Sequence, residues 1–105
     1  MTVLLVGYGS IGKRHYEVLS RLSHVTSIDI VTKQNVEDKH CYKNLELINN
    51  INKYDYFVIA SQTNQHFKQL KFLDENVKNK LIFCEKPLFE AKKELDIKTN
   101  KIFIG

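Results

Sequence analysis

Residues 7–12 read GYGSIG, three glycines at GxGxxG spacing. That spacing carries chemistry between a strand and a helix. There the first glycine permits a tight turn, the second leaves room for a phosphate against the backbone, and the third lets the helix pack closely on the sheet. Gly7, Gly9 and Gly12 take these three roles. Tyr8, Ser10 and Ile11 complete the loop, and free backbone N–H groups from about Ser10 to Gly12 are donors for pyrophosphate oxygens, helped by the positive end of the helix dipole. A glycine-rich turn that binds nothing is the competing reading. The fingerprint also wants an acid about 20 residues on, at the tip of the second strand, for a ribose 2′-hydroxyl. Asp29 comes too early, flanked by Ile28 and Ile30 inside that strand. The tip is Thr32-Lys33-Gln34, and a hydroxyl beside an ammonium suits a 2′-phosphate better than a bare diol. The pattern therefore points to NADP(H) over NAD(H), with NAD(H) as the alternative and a plain exposed lysine as the bland reading of Lys33.

Two further stretches hold chemistry-bearing side chains, IASQTNQHFKQL at 59–70 and IFCEKPL at 82–88. In an open parallel sheet, ligands bind outside the carboxyl ends of the strands. Thr63, Asn64, His66, Glu85 and Lys86 all fall on that edge. His66 reads as a residue that caps or packs at its helix start, and Lys86 in its bland reading is a strand-end surface lysine.

These residues need elements to place them. TVLLV (2–6) is a continuous apolar run, as in a strand buried on both faces. Ile11, His15, Val18, Leu19 and Leu22 form a helical stripe over 10–22. SIDIVT (27–32) is a β-branched strand, 33–42 a polar loop, and NLELINNI (44–51) a short helix with Leu45, Ile48 and Ile51 inward. DYFVIAS (55–61) is the third strand, followed by a helix over 64–76. KLIFCE (80–85) is the fourth strand, 88–97 a short helix, and KIFIG (101–105) a fifth strand. Alternation of strands and helices predicts an α/β doubly wound parallel sheet, a Rossmann-type domain over 1–105, with five strands in the order 3-2-1-4-5. Pro87 makes the 86–87 peptide bond a candidate for the cis form.

Composition narrows the classes. The chain has 105 residues, 43% hydrophobic and 27% charged, with a net charge of +4. That is one soluble globular domain with scattered basic residues, without a stripe that would mark nucleic-acid binding. Apolar runs are strand-length, too short for a membrane span, and no signal peptide is legible, so a cytoplasmic location is expected. Cys41 and Cys84 lack CxxC spacing and the four histidines lack ligand spacing, so no metal site is expected. Cys84 reads as a buried thiol.

G-Y-G-S-I-G followed by Arg14-His15, then I-A-S-x-T-N-x-H, then C-E-K-P resembles the nucleotide-binding half of the glucose–fructose oxidoreductase/inositol dehydrogenase (Gfo/Idh/MocA) family. The resemblance covers nearly the whole chain in order and spacing. It implies hydride transfer between NAD(P) and a hydroxyl or carbonyl of a sugar, inositol or nucleotide sugar. It also implies that Gly7, Gly9 and Gly12 form the pyrophosphate loop, that Ser61, Thr63, Asn64 and His66 lie beside the cofactor, and that Glu85 and Lys86 belong to its E-K-P segment. Lys86 would sit between nicotinamide and substrate as the residue of proton transfer, since a lysine desolvated beside a cationic ring should have a lowered pKa. Family members carry a second α/β domain that forms the substrate pocket, and no such domain fits in these residues. The expectation is thus a cofactor domain, inactive alone. A stand-alone non-catalytic nucleotide-binding module and a relic that binds nothing are the alternatives. Substrate and oligomeric state are not legible.

Overall fold

The computed structural model describes residues 1–86 and 100–105. The short helix at 88–97 and the peptide bond to Pro87 lie outside the described residues. The elements are β1 (Thr2–Val6), α1 (Ser10–Ser20), β2 (Ser27–Val31), β3 (His40–Tyr42), β4 (Tyr56–Ile59), α2 (Thr63–Asn76), β5 (Leu81–Cys84) and β6 (Lys101–Ile104). They form a six-stranded sheet in the order β3-β2-β1-β4-β5-β6. All five described strand pairs are parallel, so the doubly wound α/β class holds.

The strand count differs from the expected five by one. The order 3-2-1-4-5 continues into a sixth strand, and its third place is filled by His40–Tyr42, within the stretch that reads as a polar loop. The expected third strand, 55–61, is β4 and pairs directly with β1, Val3 opposite Tyr56 through Val6 opposite Ile59. A three-residue strand is too short for alternation to show. β3 is fixed instead by its partners, with Asp29 opposite His40 and Thr32 N–H donating to Tyr42 O at 2.9 Å.

The helix expected at 44–51 is also corrected. Two 3₁₀ turns, Leu45–Leu47 and Ile51–Lys53, stand there, separated by Asn50 in the left-handed region at φ 54°. Leu45, Ile48 and Ile51 are nevertheless buried as expected. These positions serve the core in either backbone, so their burial does not depend on the helix.

Strand pleating divides the core. Leu4 and Val6 join Phe57, Ile59, Leu70, Leu73, Ile82 and Cys84 on the α2 face. Val3 and Leu5 join Leu19, Val58 and Ala60 on the α1 face. On α2, Leu70 and Leu73 are fully buried. On α1 the stripe is displaced from the expected one: Leu19 is buried, whereas Ile11, Val18 and Leu22 are exposed. Gly12 takes the place against the sheet that a larger side chain would fill, which turns the helix closer to β1 and moves its buried face. Cys84 is buried as expected, and burial, reinforced by the Glu85 charge, pushes its thiol up to about 12. No helix among the described residues is long and apolar enough to cross a membrane.

Candidate functional site

The three glycines do three different things. Gly7 has φ +100°, and a Cβ there would lie 2.6 Å from Ser61 N. Gly12 is buried, and a Cβ on it would lie 2.3 Å from Gly7 O. The fold itself therefore demands glycine at both positions. Gly9 is exposed, and a Cβ there would meet nothing within 4 Å. Its backbone, at φ −76°, suits any residue. The protein leaves open the space that a Gly9 side chain would occupy.

Gly9 is also the N-cap of α1. No side chain caps that helix, and no acid sits in its first turn. The first-turn N–H groups thus keep their donor capacity and the positive end of the dipole is not neutralised.

Beside this loop lies a cleft of about 650 Å³, walled by the glycine loop, the tip of β2, residues 43–46 and the first half of α2. Of the residues singled out in the sequence, Gly7, Tyr8, Gly9, Ser10, Ile11, Thr32, Lys33 and Ser61 line it. Gly12 supports it from behind. Asp29, the acid nearest to the usual fingerprint position, is engaged elsewhere. Its carboxylate accepts from Tyr54 Oη on one oxygen and lies 3.1 Å from His40 Nδ1 on the other.

The tip of β2 is held by side chains. Lys33 Nζ donates to Asn44 Oδ1 at 2.6 Å. Lys43 Nζ donates to Lys33 O, Gln34 O and Asn35 Oδ1 at 3.0, 3.2 and 2.9 Å. Gln34 Nε2 donates to Tyr8 O at 2.9 Å, tying this tip to the glycine loop. Lys68 adds a third ammonium to the lining, against one acid, Glu46. Such a wall favours an anion. Gln34, Lys68 and Gln69 lie inside stretches the sequence singles out without being marked as site residues, and no motif in the sequence marks Lys43. Lys43 sits just past β3, and only recognition of that strand would bring it to this tip.

The remaining expected residues lie outside the cleft lining. Thr63 opens α2, Asn64 is exposed, and His66 is buried with Nε2–H donating to Ser61 O at 2.9 Å. His66 packs and anchors the turn before its helix, in line with its sequence position. Ser61 Oγ donates to Gln69 Oε1. Glu85 and Lys86 follow β5 further along the same edge. Lys86 is exposed, its N–H donating to Gly105 O at 2.9 Å.

A parallel doubly wound sheet with an open glycine cradle at its carboxyl edge defines a nucleotide-binding Rossmann domain. The chain belongs to the GFO_IDH_MocA oxidoreductase family: the model of that family's NAD-binding Rossmann fold matches residues 1–97. No curated protein matches the sequence.

Solved structures share the fold. The WlbA dehydrogenase of Chromobacterium violaceum, in complex with NADH and UDP-GlcNAcA, superposes with a TM-score of 0.72 at 16% identity, over 87% of this chain and 28% of its own. The myo-inositol 2-dehydrogenase of Lactobacillus plantarum gives 0.67 at 18% identity, over 87% and 29%. A Thermotoga maritima protein described as a probable dehydrogenase gives 0.65 at 27% identity, over 85% and 29%. The chain thus spans less than a third of the length of these structures.

Proposed function

We propose that these residues form the NADP(H)-binding domain of an oxidoreductase that moves hydride between the nicotinamide and a hydroxyl or carbonyl of a sugar, inositol or nucleotide sugar. The bound cofactor supplies the hydride chemistry. The chain's own residues bind and orient it: the Gly9–Gly12 turn offers N–H donors to the pyrophosphate, and Thr32 with Lys33 faces the 2′-phosphate. Lys86, carried over from the family's E-K-P segment, is the residue for proton transfer. Turnover on this reading needs a substrate-binding domain beside this one, and the 105 residues alone bind without reacting.

The observation that carries the reading is Gly9. Steric demand within the fold explains Gly7 and Gly12 but not Gly9, whose missing side chain leaves room for something outside the protein. Titrating the chain with NADPH and NADH by calorimetry tests it. NADPH should bind more tightly, and Gly9→Ala should lose at least about tenfold in affinity for both while its melting temperature stays close to wild type. Tighter NADH binding would remove the phosphate preference, and no binding of either would remove the reading.

A non-catalytic nucleotide-binding module is the second reading, favoured by Lys86 lying outside the cleft lining. With a substrate domain supplied, Lys86→Ala should cut turnover by orders of magnitude and leave dinucleotide affinity unchanged. Unaltered turnover would favour the module.

A further inference from the structure

The carboxyl edge carries a polar pair that the cleft does not include. His15, one turn into α1, places Nε2 2.6 Å from Glu85 Oε1, and the two side chains are 25% and 24% exposed. The Phe83 ring backs the imidazole, with centroids 5.6 Å apart. Glu85 N–H donates to Ile59 O at 3.0 Å, so the sheet fixes the base of the carboxylate. The pair has two charge states. With His15 neutral it carries the full negative charge of Glu85, and with His15 protonated the sum is zero.

The position of this charge matters. The adenosine-side cleft lies between the glycine loop and the tip of β2, so a dinucleotide with its pyrophosphate at the loop extends its other half the opposite way, past β4 toward β5. The tips of β1 and β5 are two strand spacings apart, about 10 Å, and Glu85 is the first residue after β5. The nicotinamide ring at that end is cationic when oxidised and neutral when reduced.

We propose that His15 and Glu85 set the chain's preference between oxidised and reduced dinucleotide. The inference rests on the dinucleotide reading above and extends it to redox state. With His15 neutral, the Glu85 carboxylate attracts the cationic ring and favours the oxidised form. Protonation of His15 cancels that charge and removes the advantage. Other charged or titratable groups near the pair are Lys13, Arg14, Tyr16 and Glu17 on α1, Tyr8 in the glycine loop, and Cys84 and Lys86 around the end of β5. Single substitutions within the pair leave all of them in place.

The test uses the 105-residue chain and the NADP⁺/NADPH couple, with NAD⁺/NADH as the second couple. The affinity ratio of oxidised to reduced form is measured across the range in which imidazole titrates, about pH 5 to 8. The ratio should rise about tenfold with pH, equivalent to about one pH unit of coupling. The slope should vanish in His15→Gln. In Glu85→Gln a slope from His15 remains, but the ratio should fall at every pH because the attracting carboxylate is gone, and Glu85→Asp should partly restore it. Loss of structure lowers both affinities together and phosphate titration is common to both forms, so the ratio isolates the ring charge. A wild-type ratio that stays constant while both forms bind overturns the proposal and leaves dinucleotide binding intact, as does a pH slope that survives in His15→Gln. Failure of all four dinucleotides to bind overturns the functional reading as well.

Discussion

The two ends of the sheet's carboxyl edge are held by different balances of side-chain and backbone bonds. At the β2 end, side chains build the shape: Lys43 Nζ gathers two carbonyls and an amide oxygen, Lys33 Nζ reaches Asn44, and Gln34 reaches back to Tyr8. At the β5 end, the backbone builds it: Glu85 N–H donates to Ile59 O, Lys86 N–H to Gly105 O, and Gly105 N–H to Cys84 O. Backbone bonds of this kind persist through most side-chain substitutions, whereas a side-chain strap disappears with one. The β2 end can therefore change its ligand preference without disturbing the sheet. The β5 end inherits its position from the sheet, and what side chains there can adjust is charge.

The glycine loop lies between these ends and gives the largest expected effect. Gly12→Ala brings a Cβ to 2.3 Å from Gly7 O and 2.9 Å from Gly7 C, both backbone atoms. The helix must then lift from the loop, at a cost of about 3 kcal/mol, the upper end for overpacked sites. Gly9→Ala, with open space around it, should cost under about 1 kcal/mol. Urea unfolding of the two variants compares them directly. Equal stabilities would mean that all three glycines serve the same purpose, which would break the separation of fold from ligand at this loop.

A smaller effect sharpens the contrast between the ends. Lys43→Gln removes the ammonium that draws residues 33–35 together. NADPH affinity should fall about tenfold, in line with loss of charge-assisted hydrogen bonds, and NADH affinity should fall less. Lys86→Ala, whose backbone bond to Gly105 remains, should change both affinities by under about twofold. Isothermal titration of the four combinations separates the outcomes. An equal loss of NADPH and NADH in Lys43→Gln would make Lys43 a general structural strap without selectivity.

The sequence shows these two ends unequally. The glycine loop, the buried β1 run and the β4 and β5 strands are legible because long apolar runs and fixed glycine spacing report local backbone directly. β3 is not legible, since three residues carry no measurable alternation and their pairing depends on contact with β2. Its absence from the sequence pattern hides Lys43, whose role comes from tertiary placement rather than from any local motif. The Leu45, Ile48 and Ile51 spacing reads as a helix because hydrophobic period reports which residues are buried more faithfully than which turn carries them. Asn50 in the left-handed region breaks that helix, and asparagine tolerates such a conformation at little cost. For α1, spacing marks Ile11, Val18 and Leu22 as inward, but the close approach at Gly12 governs which side meets the sheet. For the site, strand order alone locates the edge. Asp29 is visibly misplaced for a ribose, while its actual partners, Tyr54 and His40, are invisible without the fold.

Those partners give an effect on stability rather than on ligand binding, and it acts on the β2 end. Tyr54 is buried with its hydroxyl on Asp29, and His40 of β3 approaches the other carboxylate oxygen. The cluster ties β2 to both β3 and the segment before β4. Burial first, then the hydrogen bond to Asp29 and its charge, hold the Tyr54 phenol well above the usual range. The phenol therefore stays neutral in the fold at a pH where it ionises in the unfolded chain. Its contribution is fully present below about pH 10, the ordinary tyrosine value, and is lost as pH rises beyond it. Tyr54→Phe should cost about 1.5–3 kcal/mol at neutral pH, the range for a hydrogen bond to a charged group. The same variant should lose stability less steeply above about pH 10 than the wild type does. Tyr56, whose phenol is raised by burial alone, is the control: Tyr56→Phe should spare the Asp29 cluster and leave NADPH affinity intact. Urea unfolding at neutral and alkaline pH reads the stability, and NADPH titration of Tyr54→Phe reads the site. Unchanged stability in Tyr54→Phe would show that backbone pairing alone holds β3, and the β2 end would then resemble the β5 end more closely than its side-chain bonds indicate.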